Sequence, residues 1–397
     1  MKRSLWRLLA ALLALTLVAA ACGNDDDDAA DEPAPAPATE APTAAPTSAP
    51  TAAPTEAPAP EPTEEMAPEL PDITIGYLQW IYADEAGKRI EDAAKEAVDF
   101  LGWGWISCDA NGDPAQMPVC GNQLLDDDID VMLTDGIPEA FITDVLERAA
   151  AEDVPVLSAG GEVDPRDFYV ASFASDDTDL GVQLANYLAE QFPAGARIIA
   201  QEVPTAWSDK RITGLNSVIE GSGIEIVDLW EGDFANLVAG TEADVTTKLQ
   251  QFDDIDAVWI NFSVASIGAA SAIGALYPDG DDPDRPQLVT FYANPTTVND
   301  IRSGRVDAAV DEKLEWQSWA QVDAVAELLA FGTEPSQERA PTYDGRNFSV
   351  RQVVTIDTVN AMPADSTEVP APDPPGDYEE YFRNKWCGQF SGIASCG

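Results

Sequence analysis

The stretch ITIGYLQWIYADEAGKRIEDAAKEAVDFLGWGWIS, residues 73–107, decides how this chain folds. Its opening ITIGYL (73–78) and its closing WGWIS (103–107) are short apolar runs rich in β-branched and aromatic residues, which predicts two strands. Between them Ile90, Ala94, Ala97, Val98 and Leu101 recur at close to 3.6 residues, the spacing of one buried helix face. A strand, a helix and a strand in this order form a right-handed βαβ unit with its two strands parallel.

The same alternation continues along the chain. Strands are expected at VMLT (131–134), VPVLSA (154–159), FYVASF (168–173), RIIAQEV (197–203), IEIVDLW (224–230), AVWINF (257–262) and QLVTFYA (287–293). Helical spacing appears at Ile142, Val145, Leu146 and Ala149; at Leu184, Leu188 and Phe192; at Val245, Leu249 and Phe252; and at Val322, Val325 and Leu329. The expected class is α/β, with mostly parallel sheets covered by helices on both faces. So many units divide into two doubly wound lobes.

The residues before this fold read differently. Lys2, Arg3 and Arg7 precede an apolar run over residues 8–21 that is short for a membrane span, the pattern of an export signal. It ends in Ala19, Ala20, Ala21 and Cys22, so residues 1–21 resemble a bacterial lipoprotein signal whose cysteine becomes an acylated N-terminus. Four aspartates follow, Asp25 to Asp28, and then APTAAPTSAPTAAPTEAP with proline at every fourth position from 42 to 58. Such a segment cannot bury a core. Residues 22–70 are therefore expected to be a lipidated, disordered tether, with a reach of about 40 Å if coil-like and about 150 Å if polyproline-like.

Of 397 residues, 21 are Lys or Arg and 71 are Asp or Glu, a formal charge of -50. Residues 23–71 hold 12 acids and no base and the signal holds three bases, which leaves 59 acids against 18 bases in residues 72–397. This excludes nucleic acid as a partner, and electrostatic adhesion to anionic lipid with it. Histidine is absent, which removes the commonest general base and the commonest metal ligand together. No cofactor and no metal are expected. Besides Cys22 there are four cysteines, an even number in an exported chain, and three pairings are open. The short loops favour Cys108 with Cys120 and Cys387 with Cys396.

Two segments carry a family resemblance: CDANGDPAQ (108–116) after the second strand and ASDDTDLG (174–181) after the fifth. In order and spacing both are similar to the sugar-type, ribose-binding-like solute-binding proteins of ABC importers. FDDIDAVWINFSVASIGAASAI (252–273) resembles the second-lobe strand and helix of that family, and LVTFYANPTTVNDIRSGRVDAAV (288–310) its later strand, helix and return strand. The resemblance implies the type I periplasmic-binding-protein fold, with two lobes joined by three crossings and a ligand between them. The crossings are expected near Ser175, Asp311 and Pro341, with FSVRQVVTI (348–356) a late strand of the second lobe. The first lobe would then be residues 71–175 with 312–340, the second 176–311 with 341–362, and the C-terminal extension 363–397.

In open parallel sheets ligands lie beyond the carboxyl ends of the strands, so the cleft should be lined by strand-to-helix loops. On the first lobe these offer Gln79, Trp80, Tyr82 and Asp84, then Asp135 and Glu162. On the second they offer Trp207, Asp209, Phe234, Asn261, Tyr292 and Glu312. Several depart from the family pattern: Asp209 stands where ribose binders carry an arginine, Tyr292 where an aspartate is expected, and Arg211 falls on a helix position not usually in the cleft. The resemblance implies a monomeric, lipid-anchored, extracytoplasmic receptor that delivers a sugar or polyol to a membrane ABC permease and is not an enzyme. Three alternatives stay open: a ligand sensor passing its closed form to a signalling receptor, a receptor for a nucleoside or amine, and an exported glycan hydrolase. Against the last stand the missing histidine, the missing GxSxG elbow and the lack of a distinct carboxylate pair.

Overall fold

The computed structural model describes residues 67–161, 163, 168–280, 282–335, 342–343, 346–347, 351–370 and 378–397. The signal, Cys22, nearly all of the tether, Glu162 and the crossing near Pro341 lie outside the described residues.

The first lobe is built on a parallel sheet of β1 (Thr74–Gln79), β2 (Gly104–Asp109), β3 (Val131–Thr134), β4 (Val156–Ala159) and β5 (Ala171–Phe173), in the order β2-β1-β3-β4-β5. Its helices are α1 (Glu85–Leu101), α2 (Met117–Asp126) and α3 (Glu139–Ala151). The α1 helix starts where Asp84 accepts a hydrogen bond from the Gly87 N–H, and it stops at Gly102, whose φ of 80° suits a residue without a Cβ. Strands β3 and β4 are buried along their whole length, as expected of a sheet covered on both faces.

The chain then passes to the second lobe through α4 (Asp177–Gln191), β6 (Ala196–Glu202), α5 (Ala206–Ile219), β7 (Ile224–Glu231), α6 (Leu237–Gln251), β8 (Ala257–Trp259), α7 (Ser263–Leu276), β9 (Gln287–Phe291), α8 (Pro295–Arg302) and β10 (Ala308–Glu312). It returns to the first lobe as α9 (Leu314–Phe331), which covers β4, β5 and α1, where the Gln321 Nε2 donates to the carbonyls of Thr134 and Leu157. A two-stranded ribbon of β11 (Thr342–Tyr343) and β12 (Arg346–Asn347) precedes β13 (Arg351–Thr355), which joins β10 antiparallel. The second sheet is thus β13-β10-β9-β8-β6-β7, parallel except for that edge. α10 (Ile356–Ala361) packs on α8.

Several strands are shorter than the apolar runs that announced them. FYVASF contributes only β5 over its last three residues, and the expected AVWINF strand ends at Trp259. The remaining residues leave the sheet: Ile260, Asn261 and Phe262 are all buried in the turn before α7, and Phe262 borders the cleft pocket. One helix, α2, lacks any early sign except Met117, Cys120 and Leu124, which share its buried face.

The C-terminal extension crosses from the second lobe back to the first. Arg302 donates to the Ser366 carbonyl, Lys313 to that of Val369 and Gln352 to that of Pro370, so the segment runs along the hinge. α11 (Tyr378–Gln389) then docks on α9, with Trp386 fully buried and parallel to Trp319 at 5.3 Å. Ser391 meets the carbonyls of Ala67 and Pro68 at the entry to the fold. Disulfides join Cys108 to Cys120, at the end of β2 and within α2, and Cys387 to Cys396. Among the described residues no helix is long and apolar enough to cross a membrane.

Candidate functional site

The carboxyl ends of β1, β3 and β4 face those of β7, β8 and β9 across a narrow cleft. As β1 ends, the Trp80 N–H donates to the Asp135 carboxylate at 3.0 Å, which ties the first loop of the first lobe to the turn after β3. Trp80 is thereby aimed across the cleft, where its ring stacks on Phe234 of the second lobe with centroids 4.3 Å apart. It also lies parallel to Phe262 at 5.9 Å, and Trp207 meets Phe262 at 5.7 Å. Beside this cluster is a small pocket walled by Trp80, Asp84, Asp135, Trp207, Phe262 and Tyr292 among others.

Burial decides the electrostatics of this wall. It pushes the Asp84 carboxyl up to about 6, against the opposing effect of the Gly87 and Ala86 N–H groups. Burial also raises Asp135 well above the ordinary carboxylate range, with Glu91 and Asp84 adding repulsion. Gln79 is wholly buried, and among the described residues neither its amide oxygen nor its nitrogen has a partner. The Trp80 Nε1–H lacks one as well. Gly87 is needed here because a Cβ would stand 2.6 Å from Gln79 Nε2 and 2.7 Å from the Ile81 carbonyl.

Behind the second-lobe wall lies Arg211, fully buried. Its Nε donates to Asp177 at 2.8 Å, and its terminal nitrogens donate to the Asn261 carbonyl at 2.8 Å and the Tyr292 hydroxyl at 2.5 Å. Its guanidinium packs on the rings of Trp207, Phe291 and Tyr292. Tyr292 keeps this position with a φ of +65°, a backbone state uncommon for a bulky side chain. Glu312 is buried nearby, accepts from the Gln317 amide at 2.7 Å, and is pushed up to about 7 by burial and by Asp177.

Polar contacts close the cleft at its rim. The Glu85 carboxylate of the first lobe accepts from the Thr296 N–H at 2.8 Å and from its hydroxyl at 2.9 Å, at the start of α8 in the second. Arg89 reaches Asn294 and Asp311 of the second lobe while it pairs with Glu315.

The structure brings together Trp80, Asp84, Asp135, Trp207, Phe234 and Tyr292 of the expected residues, with Gln79 directly behind them. Four others stand elsewhere, Glu312 among them, behind the second-lobe wall with Gln317. Tyr82 is exposed, its hydroxyl engaged by Asp92 and Lys88. Asp209 lies on the exposed face of α5, because two helix positions separate it from the inward Trp207. Asn261 is buried, and its amide is consumed inside its own lobe by Trp259 and Ser208. Sequence reasoning missed Phe262 and Asp177; Arg211, read as outside the cleft, lies behind its wall. Phe262 was legible only as a strand residue, and no local pattern marks Asp177 as the partner of an arginine 34 positions away. Among the described residues no group of three or more His, Cys, Asp or Glu side chains is arranged to hold a metal ion.

Comparison with known proteins gives concordant matches. A family model described as a periplasmic binding protein domain matches residues 75–334. The ribose import binding protein of Bacillus subtilis is 23% identical over 244 residues, which cover 61% of this chain and 75% of that protein. Among solved structures, the 5-methylthioribose transporter solute-binding protein of Thermotoga lettingae aligns with a TM-score of 0.64 at 18% identity, over 81% of this chain and 100% of that one. A solute-binding protein of Bacillus halodurans with bound myo-inositol aligns with a TM-score of 0.61 at 19% identity, over 75% of this chain and 98% of that one. At these identities the structural matches speak for the fold.

Proposed function

The chain belongs to the periplasmic binding protein domain family, and from that premise we propose that it is the solute-binding component of an ABC importer. It captures a sugar or polyol between its lobes and presents the closed form to a membrane permease. The observation that carries this reading is the stack of Trp80 on Phe234 from opposite lobes, beside a pocket bordered by two carboxyls and an unpartnered indole N–H. An aromatic face with a few fixed polar groups is the usual way to hold a hydroxylated ring. The relatives named for ribose and 5-methylthioribose, and the structure with bound myo-inositol, support the same class.

Members of this family are binding proteins that work outside the cytoplasm. The absence of histidine from the whole chain supports a binder over an enzyme. In this reading the protein is a monomer held to the membrane by a lipid on Cys22, and residues 23–70 are its tether. Residues 71–175 with 312–340 move as one lobe and residues 176–311 with 341–362 as the other.

Thermal unfolding of the full chain against pentoses, hexoses and polyols tests the reading. A solute at 100 times its Kd adds about 2.7 kcal/mol to the folded state, a shift of a few degrees for a chain of this size. Trp80→Ala should remove that shift while leaving a cooperative transition. A panel in which no sugar or polyol moves the transition would sink the proposal.

A further inference from the structure

The pocket wall is unusual in its charge. Asp84 and Asp135 both reach it, both are buried, and among the described residues no lysine or arginine lines it. Arg211 stands behind the rings of Trp207 and Tyr292 with its nitrogens committed to Asp177, Asn261 and Tyr292, and Arg89, whose charge acts on Asp84, is engaged by Glu315, Asn294 and Asp311 at the rim. An anionic solute would therefore meet two carboxyls and no counter-charge. A neutral polyol could hydrogen-bond to both, but it would bring no counter-charge to either, whereas an ammonium group supplies one.

Resting on the proposed capture of a sugar or polyol, we propose that the solute also carries an amine: an amino sugar or amino-polyol whose ammonium group lies against Asp84 and Asp135, with its hydroxyls on Trp80 and Gln79. Four observations converge on this chemistry. The two carboxyls supply the anionic partner, set in a wall that also includes the aromatic side chains of Trp80, Trp207 and Phe262. The Trp80 indole N–H and both ends of the Gln79 amide are buried and unpartnered, as needed for hydroxyl groups that accept and donate. The same aromatic cluster already holds one cation, since Arg211 sits 4.3 to 5.0 Å from the centroids of Trp207, Phe291 and Tyr292. Finally, residues 72–397 carry 59 acids against 18 bases, a field that concentrates cations around the cleft and speeds their arrival.

Calorimetric titration of the full chain at pH 7 with matched pairs tests the proposal: glucose with glucosamine, galactose with galactosamine, ribitol with 1-amino-1-deoxyribitol, and myo-inositol with its monoamine. The amine should bind about ten-fold tighter or more than its neutral partner in at least one pair. Asp84→Asn, in which asparagine still caps α1, should weaken the amine about ten-fold more than its neutral partner, so that the preference disappears. Equal or tighter binding of the neutral member in every pair that binds overturns the amine and leaves sugar capture standing. The proposal also falls if the preference survives both Asp84→Asn and Asp135→Asn. Binding by no member of any pair overturns the capture of sugars itself.

Discussion

Arg211 and Glu312 show how single residues set the second-lobe wall without touching the pocket. Arg211 fixes Tyr292 and the Asn261 backbone at once, which a lysine could not do because it lacks the planar fork of donors. Glu312 faces Asp177, Arg211 and Gln317, and its carboxyl is raised from 4.5 to about 7 by burial. Between those values the folded chain holds a proton that the unfolded chain has released, so this contribution is present at low pH and lost as pH rises through 7. Glu312→Gln should therefore flatten the fall in Tm between pH 5 and pH 8, by an amount worth at most roughly 3 kcal/mol. An unchanged slope would place the titration elsewhere. At this scale the sequence was only half legible. Trp80 and Asp135 could be read from loop position alone, whereas Tyr82 and Asp209 have equally suitable chemistry and face solvent. What separates them is the direction of a side chain, which depends on the exact end of a strand or the phase of a helix.

Among the elements, the βαβ units were legible because alternation and 3.6-residue spacing are properties of local sequence. The ends of the strands were not, since apolar residues such as Ile260 and Phe262 are buried equally well by a sheet or by a cleft. The C-terminal helix α11 buries Phe382 and Trp386, whose partners no local pattern names. Trp386 lies against Trp319 and donates to the Asp323 carboxylate at 2.8 Å, and Lys385 reaches the same carboxylate. Trp386→Ala leaves a cavity and strips Asp323 of a donor, and it should cost about 3 to 5 kcal/mol, read as a drop in denaturation midpoint. A cost below about 1 kcal/mol would mean that α11 adds little to the first lobe.

For the whole molecule, the lobes are seen in a closed arrangement, with Trp80 on Phe234 and Glu85 capping the start of α8. The cap of α8 by its own Asn294 is missing, so its exposed N–H groups are served by a carboxylate from the other lobe. Closure is favoured only as far as such contacts exist in the closed state and not in the open one. Glu85→Ala should then weaken solute binding by about ten-fold while the Tm of the solute-free chain barely moves. A lower Tm with unchanged affinity would assign the contact to the resting fold instead. By itself the sequence determined the α/β class, the two-lobed plan and the acidic charge, because periodicity, composition and strand-helix alternation are written in neighbouring residues. Only the tertiary structure decided which aromatics meet across the cleft, that Arg211 is spent on Asp177 and Tyr292, and that the extension returns over the hinge to the first lobe. Those contacts join residues far apart in the chain, and their partners are chosen by where two sheets bring their carboxyl ends together.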